Sequence, residues 1–286
     1  MSVFKAIKKE IKKNLHLPFF VVGILGVLLL LMLGVVYTDD TGRQHIFLEF
    51  LFQSGKTEII RNRAVFEVTV IFSADNKWFY EFLPAFVIIG YMFVLSSERE
   101  RGGLRFLVIR ENVFNYCVSK VLALMLCGGI IVFFAATIYI AIVFLTISST
   151  PDPVILQAFL GAFGVSSVKA MIIKWLFSMF LLGCFSVIPG CLAGIFFNDR
   201  YMMICLPVLI QYVYDQLLQK LEFGMFGKEN TRSYKILRKI RLSNLLRAED
   251  RKSLIFTVLF CFALLFFCCM TFCFVMKEQR KRGMYV

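Results

Sequence analysis

The densest group of charged side chains lies in a nine-residue segment between two long apolar runs. Residues 97–105 read Ser-Glu-Arg-Glu-Arg-Gly-Gly-Leu-Arg. A charged side chain at the bilayer centre costs about 3 kcal/mol or more, so this segment must lie in water at a membrane face. Its mixed charges could form ion pairs with a soluble partner, and Leu104 could supply a buried anchor. The alternative is a solvated loop without a partner.

A second polar group occurs within an apolar run. Gln211, Asp215 and Gln219 are spaced at i, i+4 and i+8, which places them on one face of a helix. Polar residues within a membrane often mark a transport path. The stripe therefore predicts either a cavity-lining surface or a polar cap at the end of the helix.

Other kinds of chemistry have no residues to support them. The sequence has no GxxxxGK[ST] motif to bind nucleotide phosphates, and its two histidines, His16 and His45, are not paired on one helix. There is no CxxC pair, and most of the nine cysteines fall inside apolar runs, as packing residues do. We therefore predict no catalytic residue, no metal ligand and no cofactor.

Composition indicates an integral membrane protein. Of the 286 residues 59% are hydrophobic, whereas a soluble domain has roughly 45–50%. The net charge of +13 comes from basic residues that flank the apolar runs, which favours contact with anionic lipids over binding to nucleic acid. We predict one all-α integral membrane domain at residues 19–286, preceded by an amphipathic segment at 1–18.

Six runs of about twenty apolar residues predict six transmembrane helices. They cover residues 19–37, 79–96, 119–147, 168–197, 201–218 and 253–276. The lysines before the first run place the N-terminus in the cytoplasm, and six spans return the C-terminus to the same side. This predicts a multi-pass protein of the cell membrane with a cytoplasmic loop at about 97–118 and outer loops at about 38–78 and 219–252. The basic residues of the second outer loop are an exception to the charge rule.

The first eighteen residues are typical of a helix at the membrane interface. Phe4, Ile7, Ile11 and Leu15 form an apolar stripe at helical spacing, and lysines occupy the other face. The alternative is a disordered basic tail.

The order of these elements resembles that of the ABC type-2 exporter permeases, the membrane subunits of one class of ATP-binding-cassette transporter. The resemblance in sequence is confined to about residues 97–120, where an acidic-basic-acidic-x-Gly-x-Leu pattern is followed by a turn and by a lysine that opens the third span. The matching residues are Glu98, Glu100, Arg101, Gly102, Gly103 and Leu104, followed by Phe114, Ser119 and Lys120. The chain departs from the pattern at Arg110-Glu111-Asn112, where many relatives have a proline turn.

The resemblance implies a function. In that family the first cytoplasmic loop forms a coupling helix that docks on a separate cytoplasmic ATPase subunit, so this chain would transport and its partner would hydrolyse ATP. The residues that would contact the ATPase are Glu98, Glu100, Arg101, Gly102, Gly103, Leu104 and Arg105. A second permease, identical or a sister chain, would complete the conduit. The alternatives are a non-transport membrane scaffold or sensor, and an ion-driven carrier, which the scarcity of acidic and basic residues in mid-bilayer disfavours.

Overall fold

The structure is a computed structural model of the chain. It describes residues 3–14, 18–54, 56, 59–60, 65–100, 113–147, 156–157, 160–161, 167–197, 199–224 and 251–281. At residues 90–100, 251–258 and some single positions the description covers the backbone alone.

Helices make up most of this part of the chain. In chain order the elements are α1 (Val3–Asn14), α2 (Pro18–Met32), β1 (Val35–Thr38), β2 (Gln44–Ile46), α3 (Phe47–Phe52), α4 (Glu67–Ser73), α5 (Lys77–Glu100), α6 (Val113–Thr146), α7 (Val168–Phe196), α8 (Arg200–Gly224) and α9 (Arg251–Lys281). A helix thus occupies the position of each of the six predicted spans.

Three of these helices are long and apolar enough to cross a membrane. They are α6, α7 and α8, and α1 with α2 would count as a fourth if that bent pair formed one span. Their apolar surface is typical of a membrane protein, as the composition predicts. The six-span arrangement is a finer statement than these lengths and compositions support.

The centre of the helical bundle is a close crossing of α6 and α7. A methyl group on Gly183 would lie 2.6 Å from the carbonyl oxygen of Gly128, and one on Gly128 would lie 2.8 Å from the carbonyl oxygen of Gly183. Only glycine at both positions lets the two backbones approach this closely. The crossing carries buried packing residues on either side, including Val132 and Val187.

The helices α2 and α5 are joined by an asparagine. Asn76 precedes α5 and accepts a hydrogen bond from the backbone N–H of Phe79 (2.8 Å), so it caps the helix N-terminus. Its amide nitrogen donates to the carbonyl oxygen of Leu30 on α2 at 3.1 Å. One side chain therefore satisfies backbone groups at the ends of two helices.

A β-hairpin begins within the last residues predicted for the first span, whose helix ends at Met32, and continues into the first predicted outer loop. The expectation of an all-helical chain is therefore wrong at this point. β1 and β2 pair antiparallel, with Tyr37 opposite His45 and Thr38 opposite Gln44. The turn between the strands requires a positive φ of 80° at Gly42, a conformation that glycine adopts without strain. The two strands are only four and three residues long, which is why no alternating pattern stands out in the sequence.

Helices α3 and α4 pack against one half of α6, and the hairpin packs on α3 and α4. The hydroxyl of the fully buried Tyr139 donates to the carbonyl oxygen of Val70 on α4 at 2.8 Å, and its ring meets the ring of Phe47 at 5.5 Å between centroids. Part of the predicted outer loop is therefore a folded cap on the helices.

Candidate functional site

The predicted coupling residues lie almost wholly beyond the described part of the chain. Glu98 and Glu100 belong to the last turn of α5, where only the backbone is described. Arg101, Gly102, Gly103, Leu104 and Arg105 lie outside the described residues. The helices that flank this segment, α5 before it and α6 after it, are both described.

The amphipathic helix α1 packs on the beginning of α6. It contacts the bundle through Ala6 and Glu10, which are buried, while Ile7 and Ile11 are half-buried. Phe4 is 77% exposed. At about 100° per residue, the apolar stripe is therefore turned partly away from the protein, as an interfacial helix requires.

A buried ion pair joins the two helices. The ammonium nitrogen of Lys120 lies 2.5 Å from Oε2 of Glu10, and the side chains are 1% and 8% exposed. Lys13 approaches the other carboxylate oxygen of Glu10 at 3.1 Å. The Lys120 ammonium also lies 5.7 Å from the centroid of the Tyr116 ring, within the range of a cation–π interaction.

Because α6 directly follows the predicted coupling segment, this pair lies at the base of the helix that the segment leads into. Lys120 is also the lysine of the family-like pattern. The sequence pattern places Lys120 at the opening of the third span but does not predict its partner. Glu10 is the one acidic residue among the five lysines between Lys5 and Lys13, and that isolation is the signal that was missed.

The polar stripe of α8 faces the protein. Gln211 is buried, and Asp215 and Gln219 are half-buried. The amide nitrogen of Gln219 donates to Oδ2 of Asp215 at 2.7 Å. Two further buried residues lie on the same side of α8, Pro207 one turn before Gln211 and Met203 two turns before it. The stripe therefore continues the packing face of the helix.

The first turns of α5 bring further polar residues to this stripe. Helices α5 and α8 pack together, and the ammonium nitrogen of Lys77 lies 6.0 Å from the centroid of the Tyr212 ring. The same ammonium lies 3.4 Å from Oε1 of Glu81, a buried carboxylate one turn along α5. The structure thus places Lys77 on α5 beside Tyr212 on α8. We call the stripe of Gln211, Asp215 and Gln219, together with Lys77 and Glu81 on the helix packed against α8, the α5–α8 polar seam.

The sequence analysis did not single out Lys77 or Glu81. Their spacing of four residues at the start of an apolar helix marks an ion pair on one helical face, but it does not show which helix lies opposite. That information comes from the packing of α8.

The hairpin holds a third polar cluster. His45 is buried and stacks on Tyr37, with 4.6 Å between ring centroids. Its Nδ1 lies 3.5 Å from a Glu49 oxygen and its Nε2 lies 3.8 Å from an Asp39 oxygen. The two carboxylates face different ring nitrogens and so cannot share one metal ion with the histidine. Within the described ranges no group of three or more His, Cys, Asp or Glu side chains is arranged so that it could hold a metal ion.

Comparison with known proteins assigns no family. No protein-family model, no curated protein and no solved structure matches this chain. Function must therefore be inferred from the residues and their geometry.

Proposed function

We propose that this chain is the transmembrane permease subunit of an ATP-driven ABC exporter. It would cross the cell membrane six times with both termini in the cytoplasm, pair with a second permease, and move its substrate with energy from a separate cytoplasmic ATPase. The sequence has no nucleotide-binding motif of its own, which is consistent with this division of labour.

One observation carries the proposal. The helix that follows the predicted coupling segment, α6, is joined at its base to the amphipathic helix α1 by the buried pair of Lys120 and Glu10. A displacement of the segment by a partner would therefore reach α6 and α1 together. It would also reach α5, which precedes the segment.

The test is to purify the chain from its native membrane, to ask whether a P-loop ATPase co-purifies with it, and to measure ATP hydrolysis by the complex. Replacing Glu100 and Leu104 by alanine should weaken assembly and lower the ATPase rate, because both lie in the predicted coupling segment. The matched control replaces Glu222 and Leu221 by alanine at the end of α8. If both double variants assemble and hydrolyse ATP like the unmodified chain, the coupling assignment is wrong. A chain that binds no ATPase would favour the scaffold or sensor alternative.

The α5–α8 polar seam is the proposed pathway surface. The side of α8 that faces the protein carries Gln211, Asp215 and Gln219. A cavity between α8 and its neighbours would be lined by these side chains. The residues do not specify the substrate, so the test should not depend on it.

Cysteine accessibility provides such a test. In the reconstituted complex, Gln211→Cys should add labelling by a membrane-impermeant thiol reagent in one nucleotide state and not in the other, measured above the background from the nine native cysteines. Cysteine in place of Leu209, which is 58% exposed on another side of α8, should stay unreactive in both states because it faces lipid. A position 211 that never reacts, in any nucleotide state, would remove the seam from the pathway.

A further inference from the structure

The exposed face of α1 carries a row of lysines, and no acidic side chain of the described residues is seen to pair with them. Lys5, Lys8, Lys9 and Lys12 are all exposed. At about 100° per residue they fall within an arc of about 100° on the helix surface. This row, which we call the lysine face, lies roughly opposite the side that packs on α6.

The helix has one carboxylate, and the fold removes it from this face. Glu10 points into the protein, where Lys120 and Lys13 neutralise it. The lysine face is therefore uniformly positive, and an ion pair within α1 cannot cancel its charge.

The orientation of α1 relative to α2 determines which kind of surface these lysines face. The axis of α1 makes an angle of 77° with that of α2, a helix of fifteen residues without a charged side chain. If α2 runs into the hydrocarbon, α1 must lie close to the plane of the membrane surface. Phe4, 77% exposed, lies on the helix beside Lys8 and can enter the acyl region while the lysines remain among the headgroups.

We propose that the lysine face of α1 is a binding surface for anionic phospholipid headgroups, with Phe4 inserted between the acyl chains beneath them. Phosphate oxygens would accept charge-assisted hydrogen bonds from Lys8 and Lys12, which are one helical turn apart. The buried pair with Lys120 keeps Glu10 away from the lipid and holds the lysine face outward. The surface is independent of any transport activity.

The test reads the lipids next to residue 4. Full-length protein carrying Phe4→Trp is reconstituted in an equal mixture of phosphatidylglycerol and phosphatidylcholine, with bromine on only one of the two lipids in each sample. Quenching by the two brominated lipids gives the relative association constant at this site. The same chain without the new tryptophan gives the background from Trp78 and Trp175.

Phosphatidylglycerol should be enriched at residue 4, and K8Q/K12Q should reduce its relative association constant. A fall of about fivefold for each lysine is expected, because a basic residue near an anionic surface contributes about 1 kcal/mol. K8R/K12R should retain the enrichment, since it keeps both charges, and this variant also shows that substitution itself does not disturb α1. High salt should reduce the enrichment.

The matched control is K169Q/K220Q, which removes two exposed lysines from other helices and should leave the constant unchanged. Equal quenching by the two lipids in the unmodified lysine background overturns the proposal, and it is the result expected if an acidic protein occupies this face. An equal fall in the control and in K8Q/K12Q also overturns it, because the attraction would then come from net charge alone.

Discussion

Replacing Glu10 by glutamine should release α1 from α6. The substitution preserves the size of the side chain but removes the negative charge beside Lys120. That ammonium belongs to a side chain with 1% exposure, so water cannot take over the role of the lost carboxylate. A charge left without a counter-charge in such a site is strongly unfavourable.

The expected magnitude follows from this burial. Removing one partner of a buried pair costs about 3–5 kcal/mol, and the lower figure applies here because the glutamine oxygen can still accept a hydrogen bond. About 3 kcal/mol corresponds to an increase of about 10²-fold in the population of the undocked helix. Lys13 contacts the same carboxylate, but its side chain is 33% exposed. Lys13→Met should therefore change that population by about fivefold or less.

Hydrogen–deuterium exchange of the α1 backbone amides measures the population directly, since exchange in a docked helix requires local opening. Exchange across residues 5–13 should be fast in Glu10→Gln and nearly unchanged in Lys13→Met. Adding Lys120→Met to Glu10→Gln removes the unpaired charge and should restore slow exchange to within about tenfold of the unmodified chain.

Three results would refute the reasoning. Unchanged exchange in Glu10→Gln would mean that the pair does not hold α1. An equal effect of Glu10→Gln and Lys13→Met would mean that burial of Lys120 does not determine the cost. A failure of the double variant to recover would show that packing of the glutamate itself, and not its charge, is what matters.

Two further predictions concern the fold. Gly183→Ala should lower the melting temperature of the purified protein although alanine favours helices. Its methyl group would lie 2.6 Å from the carbonyl oxygen of Gly128 and force the backbones apart, at about 1–3 kcal/mol. The control, Gly161→Ala, meets no atom within 4 Å and should leave the melting temperature unchanged or raise it. Asn76→Ala should destabilise the protein by about 1–2 kcal/mol through loss of the helix cap and of the bond to Leu30, while Asn76→Asp should keep the cap and lose the bonds that the amide nitrogen donates to Leu30 and Ala74.

The helical elements were largely readable from the sequence because membrane helices have a strong, local signal. A run of twenty apolar residues such as that within α6 has no common alternative fold. The stripe of Phe4, Ile7 and Ile11 likewise predicts the helix α1, since its spacing is a property of that segment alone. The sequence does not predict the hairpin around Gly42, because its strands are too short to show the alternation of polar and apolar residues that marks a β-strand.

The candidate sites were predictable only in part, because each depends on which elements meet. The spacing of Gln211, Asp215 and Gln219 predicts one helical face, but it does not predict that α5 places Lys77 beside Tyr212 of α8. Contacts between residues more than a hundred positions apart, as in the pair of Glu10 and Lys120, leave no periodic trace in one sequence. The coupling residues around Gly102 stay a prediction, since they lie outside the described part of the chain.

The glycine crossing of α6 and α7 also limits how the bundle can move. Where two main chains touch, there is no layer of side chains between them that could deform. The two helices can change their crossing angle by rotating about the contact of Gly128 and Gly183. They cannot translate along their axes without first moving apart. Any separation of α6 from α7 should therefore be largest at the helix ends and smallest at the contact of Gly128 and Gly183.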